Sequence, residues 1–467
     1  MSKIIVGLDI GTTKIACIIG ERAENGKLRI LGHGKTESIG VVRGVVLNVV
    51  ETGKSIRKAV AEAAQQANFQ VEEVYVGIAG QHVKAMQTTG SIVIRDHDII
   101  TEEDVERLVS EQKLMLLPQG EVIVHVFPQQ YFIDNEPLLD SLSPVGVTGK
   151  TLSAQFHVVT CNIDNLRNIR ISVEQAGLKI KNVVLEPIAS SYAVLSQLDR
   201  EAGVALVDIG GGTTDIAVFT QDVIRHTQVI PLAGNSITED IRKGCSILKP
   251  QAETLKVKFG SCLPTLESAD DIISIPGIRN QPPREISVKT LAGIIKARMV
   301  QILEQVGYEI ERSGMEKQLL AGVVFTGGGA RMKHIEELSE LVVKAHSRIG
   351  TPDEHLVDAD AELAHPMYAT GVGLVLFGLD EEANDEKHEQ PEAQKKESDD
   401  PFDIFNGMES PSATPAPEPV EKPEPTPVVE APSAINVKPD RDTGKGFTKL
   451  NRYLTKFFTE GQDDTNE

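Results

Sequence analysis

The sequence predicts an α/β protein in which two related half-domains face a shared cleft, with a small α+β block inserted into the first half. Three observations carry that prediction. First, Val6-Gly7-Leu8-Asp9-Ile10-Gly11-Thr12-Thr13-Lys14-Ile15 recurs in altered form as Val207-Asp208-Ile209-Gly210-Gly211-Gly212-Thr213-Thr214-Asp215-Ile216. Each copy reads as an apolar strand ending in Asp, a tight Gly/Thr turn and a second apolar strand. Second, Val323-Val324-Phe325-Thr326 reads as a buried strand followed by Gly327-Gly328-Gly329-Ala330. Helical periodicity then runs from Met332 to Val343 through Ile335, Leu338, Leu341 and Val342. Third, residues from about 83 to 163 break the pattern of the first half with a strand–helix–strand block.

The turns carry the chemistry. A hairpin tip wraps a phosphate only when its backbone N–H groups point at the oxygens, and glycine allows that approach. Thr12, Thr13, Thr213 and Thr214 add hydroxyl donors, and Lys14 adds a point charge. Asp9 and Asp208 repel phosphate directly, so they make sense with Mg²⁺ between them and the phosphates, held through water. The plain alternative is two ordinary β-hairpins with Asp-Gly-type turns. Recurrence of Asp-Ile-Gly…Thr-Thr in the same order argues against it. The strand, glycine turn and helix of the third element form a nucleotide-accepting site, although glycines also let a helix pack tightly on a strand.

A fourth element begins Glu186-Pro187-Ile188-Ala189-Ser190. Proline suits the first helical turn, which puts Glu186 at a helix entrance. A carboxylate there can orient a water toward a terminal phosphate, or simply complement the helix dipole. Other nucleotide motifs fail on spacing. Asp215 and Met332 stand where the last glycine of G-x-G-x-x-G belongs, and Pro144 stands where a P-loop ending in Gly149-Lys150-Thr151 needs its first glycine.

A chain of 467 residues exceeds one ordinary core. A net charge of −21 argues against nucleic acid as the main partner. The charge is uneven: residues 380–444 hold about three acidic groups per basic one and nearly half of the prolines, so this stretch reads as an extended, self-repelling linker. Pro401-Phe402-Asp403-Ile404-Phe405 is a small apolar island within it. Cys17, Cys161, Cys245 and Cys262 show no C-x-x-C spacing and fit reduced thiols in a cytoplasmic protein. Ile4-Ile5-Val6 begins a strand at once, which leaves no signal peptide, and no run of about 18 apolar residues is present to span a bilayer.

Local signals place a helix over 49–67, a strand over 74–78, and a helix from Glu102 to Lys113 opened by a Thr101–Asp104 capping box. Ser236 and Glu239 read as another capping box, and an amphipathic helix is expected from Lys289 to Glu311. Near the end, Phe447, Leu450, Leu454, Phe457 and Phe458 share one helical face, with Lys445, Lys449, Arg452 and Lys456 elsewhere around it. Twelve residues make about 18 Å, against about 30 Å of hydrocarbon, so the segment reads as an interfacial anchor on an anionic membrane surface. The alternatives are docking on the protein's own body or in a partner's groove. Glu460, Asp463, Asp464 and Glu467 follow it and oppose anionic lipid.

These elements, in this order, resemble the actin-like ATPase superfamily, with two phosphate hairpins, a first connecting helix at Glu186, an adenosine motif at Gly327–Gly329 and a second connecting helix at Pro366-Met367-Tyr368-Ala369-Thr370-Gly371. Within it the chain is similar to the FtsA family of bacterial cell-division proteins, through Val76-Gly77-Ile78-Ala79-Gly80, Gly234-Asn235-Ser236-Ile237-Thr238 and the motifs above, over residues 1 to about 380 and again at the terminal helix. The resemblance implies an actin-like, ribonuclease H-like duplicated fold. Its large subdomains would be 1–82 with 164–202 and 203–235 with 311–360. The insertion would be 83–163, the outer subdomain 236–310, and 361–379 the return to the first half, followed by the linker 380–444 and the helix 445–459.

It also implies ATP with Mg²⁺ in the cleft. Gly11 to Lys14 and Gly210, Gly211, Gly212, Thr213 and Thr214 would hold phosphates, and Gly327, Gly328 and Gly329 would lie under the adenosine or the α-phosphate. Asp9 and Asp208 would hold the metal's water shell, and Glu186 the attacking water, with turnover at most weak. The implied partners are other copies in a filament, later division proteins through the insertion, the inner face of the cell membrane at midcell, and the C-terminal peptide of the tubulin-like protein FtsZ. Lys289, Lys296 and Arg298 are candidates to meet that acidic peptide. A small-molecule kinase of the same superfamily is the enzymatic alternative, opposed by the linker and terminal helix. A pilus-type membrane adaptor shares the fold without that basic tail.

Overall fold

The computed structural model describes residues 3–95, 99–138, 143–277, 282–357 and 362–388. The first half opens with strands β1 (Ile4–Ile10), β2 (Lys14–Arg22) and β3 (Leu28–Glu37), followed by the short pair β4 (Val41–Val42) and β5 (Val45–Val46). Helix α1 (Val49–Ala67) comes next: Asn48 caps its start by accepting the Glu51 N–H, and Asn68 ends it in the left-handed region. Strand β6 (Glu73–Ile78) then leads into the insertion.

The insertion comprises β7 (Val83–Val93), α2 (Glu102–Lys113), β8 (Glu121–Ile133), β9 (Glu136–Pro137) and β10 (Thr151–Asn162). It forms a four-stranded antiparallel sheet in the order β7-β10-β8-β9 with its own apolar core around Phe156, Leu108 and Leu152. The expected capping box at Thr101 and Asp104 is present. The chain returns to the first half through α3 (Ile163–Gln175), β11 (Lys179–Leu185) and α4 (Glu186–Val194).

The second half follows α5 (Gln197–Ala202) with β12 (Val204–Ile209), β13 (Thr214–Thr220) and β14 (Val223–Ile230). The outer part contains α6 (Gly234–Cys245), α7 (Lys249–Phe259), the hairpin β15 (Ile272–Ile275) and β16 (Arg284–Ser287), and α8 (Val288–Arg312). The half closes with β17 (Val323–Thr326), α9 (Ile335–Val342) and β18 (Ser347–Ile349), and α10 (Ala369–His388) returns to the first half.

The two large sheets repeat one topology. The first runs β3-β2-β1-β6-β11 and the second β14-β13-β12-β17-β18. In both, the first three strands are antiparallel neighbours and the last two join in parallel. The fold is therefore an actin-like duplication with an inserted α+β subdomain. Strands β1, β6, β12 and β17 are buried along nearly their whole length, as parallel central strands require.

Helices α4 and α10 cross between the sheets. At Gly373 the contact is backbone to side-chain position: a Cβ there would lie 1.7 Å from the Ala189 carbonyl oxygen. Helix α10 also continues past Leu379, where the linker was expected to begin, as far as His388. Glu382 explains the extension. It is nearly buried and pairs with Lys3 and with Lys181 at 3.0 Å, which ties this turn to β1 and β11.

Two local expectations fail for identifiable reasons. Helix α6 starts at Gly234 with no side-chain cap, because carbonyls from the second hairpin tip take its first N–H groups; Glu239 pairs instead with Arg242 at 2.6 Å. Helix α9 starts at Ile335 and not Met332, because His334 takes a left-handed φ of 64° that no α-helix tolerates, and residues 328–331 form a 3-10 turn.

Gly373→Ala should cost about 1–3 kcal/mol or more by overpacking the α4–α10 crossing. Gly293→Ala, in α8 where a Cβ meets nothing within 4 Å, should gain about 0.5–1 kcal/mol. Urea unfolding of the two variants beside the parent checks both signs.

Candidate functional site

The two hairpin tips touch. A Cβ on Gly211 would stand 2.3 Å from Thr13 Cγ2, and one on Gly212 would stand 2.4 Å from Thr12 Oγ1. Thr12 Oγ1 accepts the Gly44 N–H at 3.0 Å, which fixes the first tip to the β4–β5 turn. The second tip closes on itself, with the Gly210 N–H donating to the Thr213 carbonyl at 3.0 Å. Its outer side is held by α6: the Gly234 and Asn235 N–H groups donate to the carbonyls of Gly210 and Gly211 at 3.1 and 2.8 Å. Lys256 of α7 reinforces that joint by donating to the Gly234 carbonyl at 3.1 Å and to Thr238 Oγ1 at 2.8 Å.

Behind the tips, four carboxylates converge. Asp9 lies near the end of β1 and pairs with Lys14. Lys14 Nζ also lies 5.6 Å from the centre of the Tyr368 ring. Asp208 accepts from Ser190 Oγ at 2.8 Å and Thr370 Oγ1 at 3.3 Å, so both crossing helices grip it. Asp215 stands directly across the β12–β13 hairpin from Asp208, whereas Asp9 faces Ala16 at the matching level of the first hairpin. Thr213 Oγ1 donates to Asp215 Oδ2 at 3.0 Å, and Asp215 Oδ1 is buried without a partner. Glu186 opens α4 immediately after β11 and packs over Gly77 of β6.

Burial and mutual repulsion shift these groups together. Glu186 is held well above the usual carboxylate range, first by burial and then by Asp9, Asp215 and Asp208. Asp215 is pushed up to about 8 by burial and by Asp208. Burial also raises Asp208, against the hydrogen bond from Ser190. One lysine among four carboxylates leaves negative charge that favours a divalent cation. The orphaned Asp215 oxygen and the desolvated oxygens around it are the hard donor set such an ion takes through its water.

The glycine run after β17 splits between packing and opening. Gly327 has φ of 82° and donates its N–H to the Pro366 carbonyl at 3.2 Å. Any Cβ on it would strike Asp208, and one on Gly329 would strike Ile209. Gly328 alone is free on its Cβ side, with nothing within 4 Å. Two of the three glycines thus serve close packing, and the backbone at Gly328 is the part open to a ligand.

Some expected residues sit otherwise than predicted. The Thr214 hydroxyl donates to the Leu232 carbonyl at 2.8 Å, within the second half, and is not directed as a phosphate donor. Arg298 is committed to Asp240 at 2.6 and 3.1 Å, which leaves Lys289, exposed on the first turn of α8, and Lys296 as the cations of that face. Phe447, Leu450, Leu454, Phe457, Phe458, Lys445, Lys449, Arg452 and Lys456, like the Pro401–Phe405 island, lie outside the described residues. Asp215, Ser190, Thr370 and Lys256 were not anticipated as site residues. Register of the second hairpin was the one available signal for Asp215, since Asp208 and Asp215 flank its tip symmetrically.

Duplicated sheets, touching Gly/Thr tips and a carboxylate-lined cleft define an actin-like protein of the nucleotide-binding type. The family profile described as "Cell division protein FtsA" matches residues 205–373, and that described as "SHS2 domain inserted in FTSA" matches residues 80–160. The chain is 38% identical to cell division protein FtsA of Pseudomonas aeruginosa over 382 residues, covering 82% of this chain and 91% of that protein. It is 35% identical to that of Escherichia coli K12 over 391 residues, covering 82% and 92%. The chain belongs to the FtsA family of cell-division proteins. A solved PilM-PilN type IV pilus biogenesis complex shares the fold at a TM-score of 0.59 and 16% identity, covering 80% of this chain and 98% of that one. Among the described residues no helix is long and apolar enough to cross a membrane.

The raised carboxyls set a pH signature. A carboxyl whose folded value lies above its unfolded one favours folding while protonated. For Asp215 that contribution is complete below the unfolded 3.8 and is lost as pH rises toward about 8. Stability without nucleotide or divalent metal should therefore fall between pH 4 and 8, and Asp215→Asn should flatten the fall; urea midpoints across that range, measured in EDTA, check it.

Proposed function

We propose that this protein binds ATP with Mg²⁺ between the hairpin tips, assembles with further copies in response, and anchors the FtsZ ring to the cytoplasmic face of the cell membrane. The observation that supports this most strongly is the contact of the two tips, Gly211 against Thr13 and Gly212 against Thr12, in front of the buried carboxylates.

When bound, Mg²⁺·ATP supplies a cation among the carboxylates and a phosphoanhydride that can be cleaved. Asp9 and Asp208 would hold the ion through its water. The N–H groups of Gly11, Thr12, Thr13, Gly211 and Gly212, with the Thr12 and Thr13 hydroxyls, would cradle the phosphates, while the Gly210 N–H and the Thr213 hydroxyl are spent within their own hairpin on the Thr213 carbonyl and Asp215; Lys14 would turn from Asp9 to a phosphate oxygen. Gly328 offers open backbone to the nucleoside side. Glu186 holds a water and accepts its proton, a role its raised affinity for protons suits. The nucleotide then serves chiefly as a conformational ligand, with slow turnover.

The remaining roles rest on the family and on sequence pattern. The outer subdomain, with Lys289 and Lys296 on α8, receives the acidic FtsZ peptide. The insertion meets later division proteins and neighbouring copies. The terminal helix holds the membrane weakly as a single copy and firmly when many copies are joined, because each bound neighbour raises the effective concentration of the next.

Asp208→Asn should weaken binding of a fluorescent ATP analogue by at least about tenfold in Mg²⁺. EDTA should bring the parent down to the same level, and equal affinity of the two proteins in Mg²⁺ would sink the metal role. Removing residues 445–458 should abolish co-sedimentation with vesicles containing anionic lipid while ATP binding persists, and unchanged pelleting would refute the anchor.

A further inference from the structure

The insertion belongs to the first half by chain connection but is fastened to the second half by buried polar contacts. Its β8 pairs His125 with Val159 and Phe127 with His157 of β10, then bulges so that Gln129 stands outside the pairing between Pro128 and Gln130. Gln129 is nearly buried, and its amide donates to the carbonyls of Ile224 and Arg225 on β14 at 2.8 and 2.9 Å. Arg225 donates back to the Gln129 carbonyl at 2.8 Å. On β10, His157 is nearly buried with its Nε2 2.8 Å from Thr227 Oγ1, while its Nδ1 has no partner. These contacts cover β14, the edge strand of the second sheet.

The same strand β8 also reaches the first half's part of the cleft. His125 Nε2 accepts the N–H of Leu185, the residue before Glu186, at 3.1 Å, and His125 stacks on Phe127 with ring centres 5.3 Å apart. On the other side β14 is registered on the second phosphate hairpin, with Val229 opposite Asp215 and Thr227 opposite Ala217. One strand of the insertion therefore bridges the two walls of the cleft, touching the backbone next to Glu186 and the strand paired with Asp215.

We propose that docking of the insertion on β14 is a latch that holds the two halves together around the cleft, so that nucleotide occupancy and docking are thermodynamically coupled. The inference rests on the nucleotide reading given above. Separation of the halves must either strip Gln129 and His157 from β14 or swing the insertion with the second half. In the first case, buried polar groups lose partners, which makes the transition discrete and not gradual. Coupling of this kind is reciprocal: if nucleotide tightens docking, loosening the docking weakens nucleotide by the same factor. Since the tips are in contact with the latch engaged, the latch favours the gripping arrangement of the cleft.

The test uses the full chain and a fluorescent ATP analogue with Mg²⁺, in the parent, in Gln129→Ala and in the milder Thr227→Val, all checked for the parent's circular dichroism. Hydrogen exchange over residues 121–133 and 223–230 is followed with and without the nucleotide. Both variants should bind at least threefold more weakly, and nucleotide should slow exchange in both segments of the parent. Parent binding that is matched within twofold by both variants, with exchange indifferent to nucleotide, overturns the latch and leaves the nucleotide site standing. Absence of binding by the parent overturns both. Should Gln129→Ala fail to fold, Thr227→Val decides alone.

Discussion

The convergence of four carboxylates, Asp9, Asp208 and Asp215 buried and Glu186 half-buried, is the constraint around which this molecule is arranged. Like charges at such range oppose one another, and burial removes the water that would screen them. The protein answers with Lys14 on Asp9, with Ser190 and Thr370 on Asp208, and with Thr213 on Asp215. The balance stays negative, and the raised values of Glu186 and Asp215 register that deficit. On the proposed reading, a cation would relieve this deficit and lessen the repulsion that phosphate oxygens meet.

The duplicated sheets explain how that cluster is assembled. Parallel strands bring their C-terminal ends to one edge, where α/β folds hold their ligands. Asp9 and Glu186 arrive there from β1 and β11 in the first half, Asp208 and Gly327 from β12 and β17 in the second. The crossing of α4 and α10 at Gly373 then sets the distance between the halves, and the same two helices supply Ser190 and Thr370 to Asp208. Packing and site are thus one arrangement: enlarging Gly373 would displace the groups that hold the second aspartate.

Much of this was legible in the chain. The twin hairpins announced the duplication, because Asp-Ile-Gly followed by threonines has local chemistry that survives transfer from sequence to structure. Glu186 before Pro187 announced a helix entrance, and α4 begins there. What escaped depended on long-range partners. Ser236 and Glu239 had the spacing of a cap, but the carbonyls of Gly210 and Gly211, distant in sequence, took the N–H groups first. Arg298 read as a free cation until Asp240 on the neighbouring helix claimed it. The stretch after Leu379 has linker composition, yet Lys181 of β11 and Lys3, just before β1, pair with Glu382 and carry the helix onward.

Asp215 shows how composition and register can point different ways. Along the chain it is the residue that spoils a glycine motif; across the hairpin it stands opposite Asp208, while the first copy has Ala16 at that level. Duplication therefore produced halves that are alike in topology and unequal in charge, with the lysine on the first tip and the extra carboxylate on the second. The first wall carries Asp9 and Glu186 with Lys14 spent on Asp9, and the second carries Asp208 and Asp215 held only by hydroxyls of Ser190, Thr370 and Thr213. The less compensated wall thus belongs to the half whose edge strand β14 is contacted by the insertion, with Val229 of that strand directly opposite Asp215.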